Sequence, residues 1–117
     1  KLSTVLKINL RNLYDYEKVM HHYYAPEDKL ENIYPSLLPQ WDRSPRSGMN
    51  GIYINSTPKK FEATVQDALK LVEHKQPEHQ ILFLKSWNEW AEGNYVEPDL
   101  KFGQGYLDIL QKKLLNE

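Results

Sequence analysis

The chain has 117 residues, 40% of them apolar, and 15 basic side chains against 16 acidic ones for a net charge of −1, which is one-domain size. That balance gives no electrostatic footprint for nucleic acid, and no apolar run approaches the roughly 18 residues of a membrane-spanning helix. Lacking cysteine, these residues hold no disulfide, thiolate metal site or cysteine nucleophile, a composition that fits a cytoplasmic protein.

In chain order the pattern predicts helix, strand, helix, strand, helix. Residues 2–10 read as a weak strand or irregular approach. Asp15 is placed to cap a short helix from Tyr16 to about Tyr24, which Pro26 ends. Ile33 to Gln40 reads as a strand, although Pro35 and Pro39 withhold two backbone donors. Asp42 to Gly51, rich in Ser, Pro, Gly and Asn, reads as a loop. Thr57-Pro58 opens a helix with a hydroxyl cap and a first-turn proline. Its residues Phe61, Val65, Ala68, Leu69 and Val72 share one apolar face. Pro77 stops that helix, and Gln80 to Ser86 forms a short apolar strand suited to burial on both faces. A loop of roughly sixteen residues follows, long enough to be read as functional. The final helix runs from about Gly105 to Leu115 and is expected to bury Tyr106, Leu107, Leu110 and Leu114. Strands alternating with helices imply an α/β fold with βαβ crossovers and a parallel sheet.

The long loop carries the chemistry. Glu89, Glu92 and Glu97 sit among Trp87, Trp90 and Tyr95 directly after the apolar strand. Aromatic rings stack on sugar faces, and paired carboxylates are the usual means of breaking glycosidic bonds. Glu89 and Glu92 are three apart, so a helical turn would put both on one side, with Cβ atoms about 5–6 Å apart. Retaining glycosidases hold their carboxyls about 5–5.5 Å apart and inverting ones roughly 6.5–9.5 Å, so the spacing is compatible with retention. Each acid alone also reads as a solvated surface group, and Glu97-Pro98-Asp99 reads equally as a turn leading into the last helix. Trp87 and Trp90 read either as stacking platforms or as anchors of the loop. Tyr95 is a stacking candidate, and Asn88 a partner for a sugar hydroxyl or a loop-stabilising bond. Upstream, Trp41 and Asp42 leave the preceding strand, and Asp42 is a candidate for a sugar hydroxyl. Arg43 and Arg46 suit a phosphate or carboxylate on a charged glycan, while Asp-x-Ser-Pro also builds an ordinary turn. His21-His22, His74 and His79 lack metal-ligand spacing. Gly103-Gln104-Gly105 is an incomplete dinucleotide fingerprint that reads better as a helix opening. Neither a metal nor a cofactor is expected.

Trp87-Asn88-Glu89-Trp90-Ala91-Glu92-Gly93, Tyr95-Val96-Glu97-Pro98-Asp99 and Gly103-x-Gly105-Tyr106-Leu107 together resemble the end of the WbsX-like family. That family accompanies bacterial polysaccharide and lipopolysaccharide biosynthesis and is often labelled glycosyltransferase. Trp41-Asp42-Arg43-Ser44-Pro45-Arg46 resembles its Trp-Asp-x-x-Pro-Arg segment, and Tyr14-Asp15-Tyr16-Glu17 a third, weaker one. The family is similar in turn to glycoside hydrolase family 99, retaining α-mannoside hydrolases on a (β/α)8 barrel. The resemblance implies that Glu89 assists attack by the sugar's own 2-hydroxyl. It implies too that Glu92 protonates the leaving oxygen and later activates water, and that Glu97 holds hydroxyls. Ala91 and Asn94-Tyr95-Val96 match the WbsX-like branch and put the mannoside specificity of family 99 in doubt.

Such a barrel takes about 250 residues. The chain is therefore expected to be the C-terminal portion of a TIM-like barrel, roughly its last quarter to third, with residues 1–117 forming a single partial domain. Its expected partners are an oligosaccharide or polysaccharide substrate and the N-terminal remainder of the barrel, and the isolated piece is expected to self-associate. Three functions stay open here: a retaining hydrolase or transglycosylase of α-linked glycans, a surface-polysaccharide glycosyltransferase, and a non-catalytic carbohydrate-binding unit. No Asp-x-Asp pair of the kind metal-dependent nucleotide-sugar transferases use occurs in these residues, which weakens the second.

Overall fold

The computed structural model describes residues 12–115; the approach segment expected over residues 2–10 lies outside them. Strand β1 (Leu13–Asp15) opens the described chain and runs directly into helix α1 (Tyr16–Met20). The Asp15 carboxylate accepts the Lys18 amide, so the expected cap forms. The helix ends at Met20, earlier than Tyr24, and a turn leads to a 3-10 segment at Pro26–Lys29.

Strand β2 is confined to Ser36–Leu37. The expected strand over Ile33–Gln40 is cut short because buried Pro35 and Pro39 flank that pair and offer no N–H. Within the expected loop, Ser44–Ser47 form a single turn of helix, α2, begun by Pro45 in its first turn. Strand β3 (Ile52–Ile54) was not anticipated from the sequence, although Ile-Tyr-Ile after Gly51 carries a β signal. It pairs in parallel with β1, Tyr14 opposite Tyr53.

Helix α3 (Pro58–Val72) begins where Thr57 caps it, the hydroxyl accepting the Lys60 amide at 3.2 Å. Phe61, Val65 and Ala68 are fully buried, Val72 nearly so, and Leu69 packs half-buried beside them. The predicted apolar face is the observed one. Thr57→Ala is expected to cost about 1 kcal/mol through loss of the cap. Chemical denaturation should register this as a lower midpoint at unchanged slope.

After a 3-10 turn at Pro77–His79, strand β4 covers only Phe83–Leu84 and pairs in parallel with β2. Pro35 and Leu37 carbonyls accept the Phe83 and Lys85 amides. The Lys85–Ser86 peptide is cis. Strands β5 (Asn88–Glu89) and β6 (Asn94–Tyr95) then form an antiparallel pair around a 3-10 turn at Trp90–Glu92. Helix α4 (Gly105–Leu110) continues as a π-helical turn to Leu115. Tyr106 is buried and Leu107 and Leu110 pack on the core, but Leu114 is exposed.

Among the described residues the architecture is mixed α/β: two parallel strand pairs and one antiparallel pair, with helices. The core joins Leu37 of β2, the α3 stripe, Val96 and Tyr106. Gly105 allows α4 to meet α3, since a Cβ there would lie 2.7 Å from the Pro58 ring. Among the described residues no helix is long and apolar enough to cross a membrane.

Glu31 ties the segment after the Pro26–Lys29 turn to the turn that follows α3. Glu31 accepts the Gln76 amide and lies 2.6 Å from His79 Nδ1. The His79 contact foremost, with the Gln76 amide, holds the Glu31 carboxyl below its usual 4.5. A folded-state value below the unfolded one stabilises the fold above about pH 4.5 and loses that contribution as pH falls through the lowered value. Melts of the protein and its Glu31→Gln variant are expected to differ near neutrality and to converge in acid. A gap that stays constant with pH would refute this assignment.

Candidate functional site

Two loops build the site. One leaves β2 and carries Trp41, Asp42 and, on α2, Arg46; the other is the β5–β6 hairpin. They are joined by backbone: the Asp42 amide donates to the Glu92 carbonyl at 2.9 Å. Gly93 lies against Asp42 so closely that a Cβ would stand 2.8 Å from the Asp42 carbonyl oxygen. Its left-handed φ of +53° closes the 3-10 turn and admits glycine readily.

The Asp42 carboxylate accepts the Ser44 amide at 2.9 Å, so its Oδ1 shapes the turn into α2. That turn aims Arg46 across the hairpin. Its guanidinium reaches Glu92 Oε1 at 3.2 Å through one nitrogen and Glu89 Oε1 at 3.5 Å through the other. Glu89 ends β5 and Glu92 ends the 3-10 turn. Both carboxylates therefore reach one cation, from a strand end and a 3-10 turn rather than from the helical turn that their three-residue spacing suggested. Exposed ion pairs of this kind stabilise a fold little; their effect here is positional.

Trp90 lies between the two acids in sequence and stacks on Tyr95, ring centroids 3.6 Å apart and planes 17° from parallel. Each ring is pinned at its polar end. The Trp90 indole donates to Glu97 at 2.7 Å, and the Tyr95 hydroxyl donates to Asp99 at 3.0 Å. Partial burial, together with the Asp99 carboxylate, pushes the Tyr95 phenol up to about 12. Glu97 thus orients an aromatic ring, a role its sequence position does not reveal. Gln40 also donates to the Tyr95 carbonyl.

The stacked pair forms one wall of a cleft of about 640 Å³, with Trp41, Tyr53 and Phe102 among its other lining residues. Trp41 carries Lys85 Nζ 5.3 Å above its ring. Glu89, Glu92 and Arg46 are not lining residues of the cleft, whereas Trp90 is. Asn88 is exposed on β5. Trp87 goes elsewhere: it lines an apolar groove with Leu84, Leu107 and Leu110. Of the residues expected from sequence, Trp41, Asp42, Trp90 and Tyr95 meet at the cleft and Arg46, Glu89 and Glu92 meet beside it. Tyr53, Asn55 and Phe102 were missed, the first two because strand β3 was. Among the described residues no cluster of three or more His, Asp or Glu is placed to hold a metal.

The family model described as Glycosyltransferase WbsX matches residues 2–110. The chain belongs to that family. It is also 37% identical, over an 87-residue alignment that covers 70% of this chain, to a protein named Uncharacterized protein WxcX from Xanthomonas campestris pv. campestris strain B100, and equally to that of strain ATCC 33913. The match covers 12% of either relative, so the chain spans about an eighth of the curated relatives it matches. No solved structure matches it. Membership of the WbsX family supports a carbohydrate-related role, and the family's description as a glycosyltransferase is that of an enzyme.

Proposed function

We propose that this chain is the C-terminal portion of a (β/α)8 barrel in an enzyme of bacterial surface-polysaccharide metabolism. It acts on α-linked glycans by a retaining mechanism with Glu89 and Glu92 as its carboxyl pair. The observation that carries this reading is the convergence of both carboxylates on Arg46, beside the Trp90–Tyr95 wall. Carboxyls gathered on one side of an aromatic surface suit a pyranose ring whose glycosidic bond lies between them. Two parallel strand pairs, with α3 between β3 and β4, are consistent with a barrel segment.

In this reading Glu89 removes the proton from the sugar 2-hydroxyl as its oxygen attacks the anomeric carbon. Glu92 protonates the departing glycosidic oxygen, then takes a proton from the water that attacks the anomeric carbon, while Glu89 returns its proton to the 2-oxygen as that bond breaks. Asp42 Oδ2, which has no partner among the described residues, and exposed Asn88 are suited to holding sugar hydroxyls. Trp87 belongs in this account to the apolar groove, which the remainder of the barrel covers, and no metal or cofactor takes part. The whole-protein setting is taken to be cytoplasmic.

A second reading is favoured by the family description: a glycosyltransferase that takes its donor from a nucleotide sugar. Incubating the full-length protein with α-linked oligosaccharides, with and without nucleotide sugars, separates the two. Release of reducing ends without donor, with retained anomeric form, supports the hydrolytic reading. Chain extension only in the presence of donor overturns it.

A further inference from the structure

The cleft beyond Trp90 is lined by none of Glu89, Glu92 and Arg46, and its walls have a chemistry of their own. We propose that it is a separate subsite for one hydroxyl-bearing pyranose ring, next along the glycan from the ring held at Glu89 and Glu92. The inference rests on the carbohydrate reading above and adds a binding site to it.

Size is the first support: about 640 Å³ lies within the roughly 300–1,000 Å³ of small-ligand clefts. The second is composition. Trp41, Tyr53, Trp90, Tyr95 and Phe102 supply aromatic surface, which packs against the apolar face of a sugar ring. The third is rigidity. The Trp90 indole and Tyr95 hydroxyl are already fixed to Glu97 and Asp99, so the wall is ordered before a ligand arrives. Asp42, Asp99 and Lys101 lie at the same cleft; Asp99 is taken up by the Tyr95 hydroxyl and the Lys101 and Phe102 amides, which leaves Asp42 Oδ2 to accept a sugar hydroxyl. Trp90 stands between the two places, flanked by Glu89 and Glu92 in the chain and lining the cleft.

The test measures equilibrium affinity of the full-length protein and its Trp41→Ala variant. The probes are neutral α-linked gluco- and manno-oligosaccharides, from disaccharide to pentasaccharide. Thermal melts check that the variant is folded, and Tyr53→Ala serves as a second probe of the same cleft. For the unaltered protein, affinity is expected to rise roughly tenfold at the length that first fills the cleft, the scale of one aromatic stacking contact. Both variants should lose that step and keep their affinity for shorter glycans. Equal losses at every length would overturn the separate subsite, as would affinity independent of length in the unaltered protein; either leaves the carbohydrate reading standing. Failure of every glycan to bind the unaltered protein would overturn both.

Discussion

Glu92→Gln in the full-length protein is expected to lower kcat by about 10²–10⁴-fold, the usual contribution of a positioned general acid, with KM little changed. Glutamine keeps the shape of the side chain and an oxygen able to accept from Arg46, which sits 3.2 Å from Glu92 Oε1. The contact between the two loops should therefore persist, and what disappears is the capacity to give and take a proton. Unequal effects on kcat and KM separate catalysis from binding, since an interaction made only in the transition state leaves substrate affinity alone. Glu89→Gln should reduce turnover on a comparable scale. Turnover of the Glu92 variant within a few-fold of the parent would remove the carboxyl pair from the mechanism. The aromatic wall would then stand as a binding surface without catalysis.

Gly93→Ala is expected to destabilise the fold by about 2–5 kcal/mol, combining the left-handed backbone with overpacking. The added methyl carbon would lie 2.8 Å from both the Asp42 carbonyl oxygen and its Cβ. Neither can withdraw cheaply, because the Asp42 amide is bonded to the Glu92 carbonyl in the same contact. Gly103 supplies the control: it has a similar φ of +55°, but nothing lies within 4 Å of a Cβ built there. Gly103→Ala should therefore show the backbone part alone, about 1–2 kcal/mol. Denaturant midpoints for the two variants isolate the steric part by difference. Equal losses would mean that the close approach of the two loops does not matter to stability.

The sequence was most readable where a single physical signal dominated. The α3 stripe follows helical periodicity, Thr57-Pro58 is a sterically unambiguous opening, and Gly105 begins α4 as expected. Strands were harder. β2 and β4 each hold only two paired residues, too few for alternation to register, and the prolines around β2 limit pairing in a way that composition signals without fixing its extent. β3 escaped because Gly51 and Asn55, both at positive φ, crowd it on either side and give the stretch a turn-like composition. The pairing of Glu89 with Glu92 was legible only as a spacing, since a strand end and a 3-10 turn stand where it suggested a helical turn. The reach of Arg46 to both was not legible, since it depends on a contact between segments more than forty residues apart. The stacking of Trp90 on Tyr95 was equally hidden, because it requires β5 and β6 to pair across the turn.

The chain has three tryptophans: Trp41 beneath Lys85 and Trp90 against Tyr95 stand on the two loops described above, and Trp87 stands on the apolar groove. None lies in the α3 core. Tryptophan emission from this chain is thus a signal from the loop after β2, the hairpin and the groove beside α4, and not from the α3 core. With two aromatic rings nearly parallel at 3.6 Å, the Trp90–Tyr95 pair also couples its transitions into the near-ultraviolet circular dichroism. The molecule carries an intrinsic optical probe that needs no label.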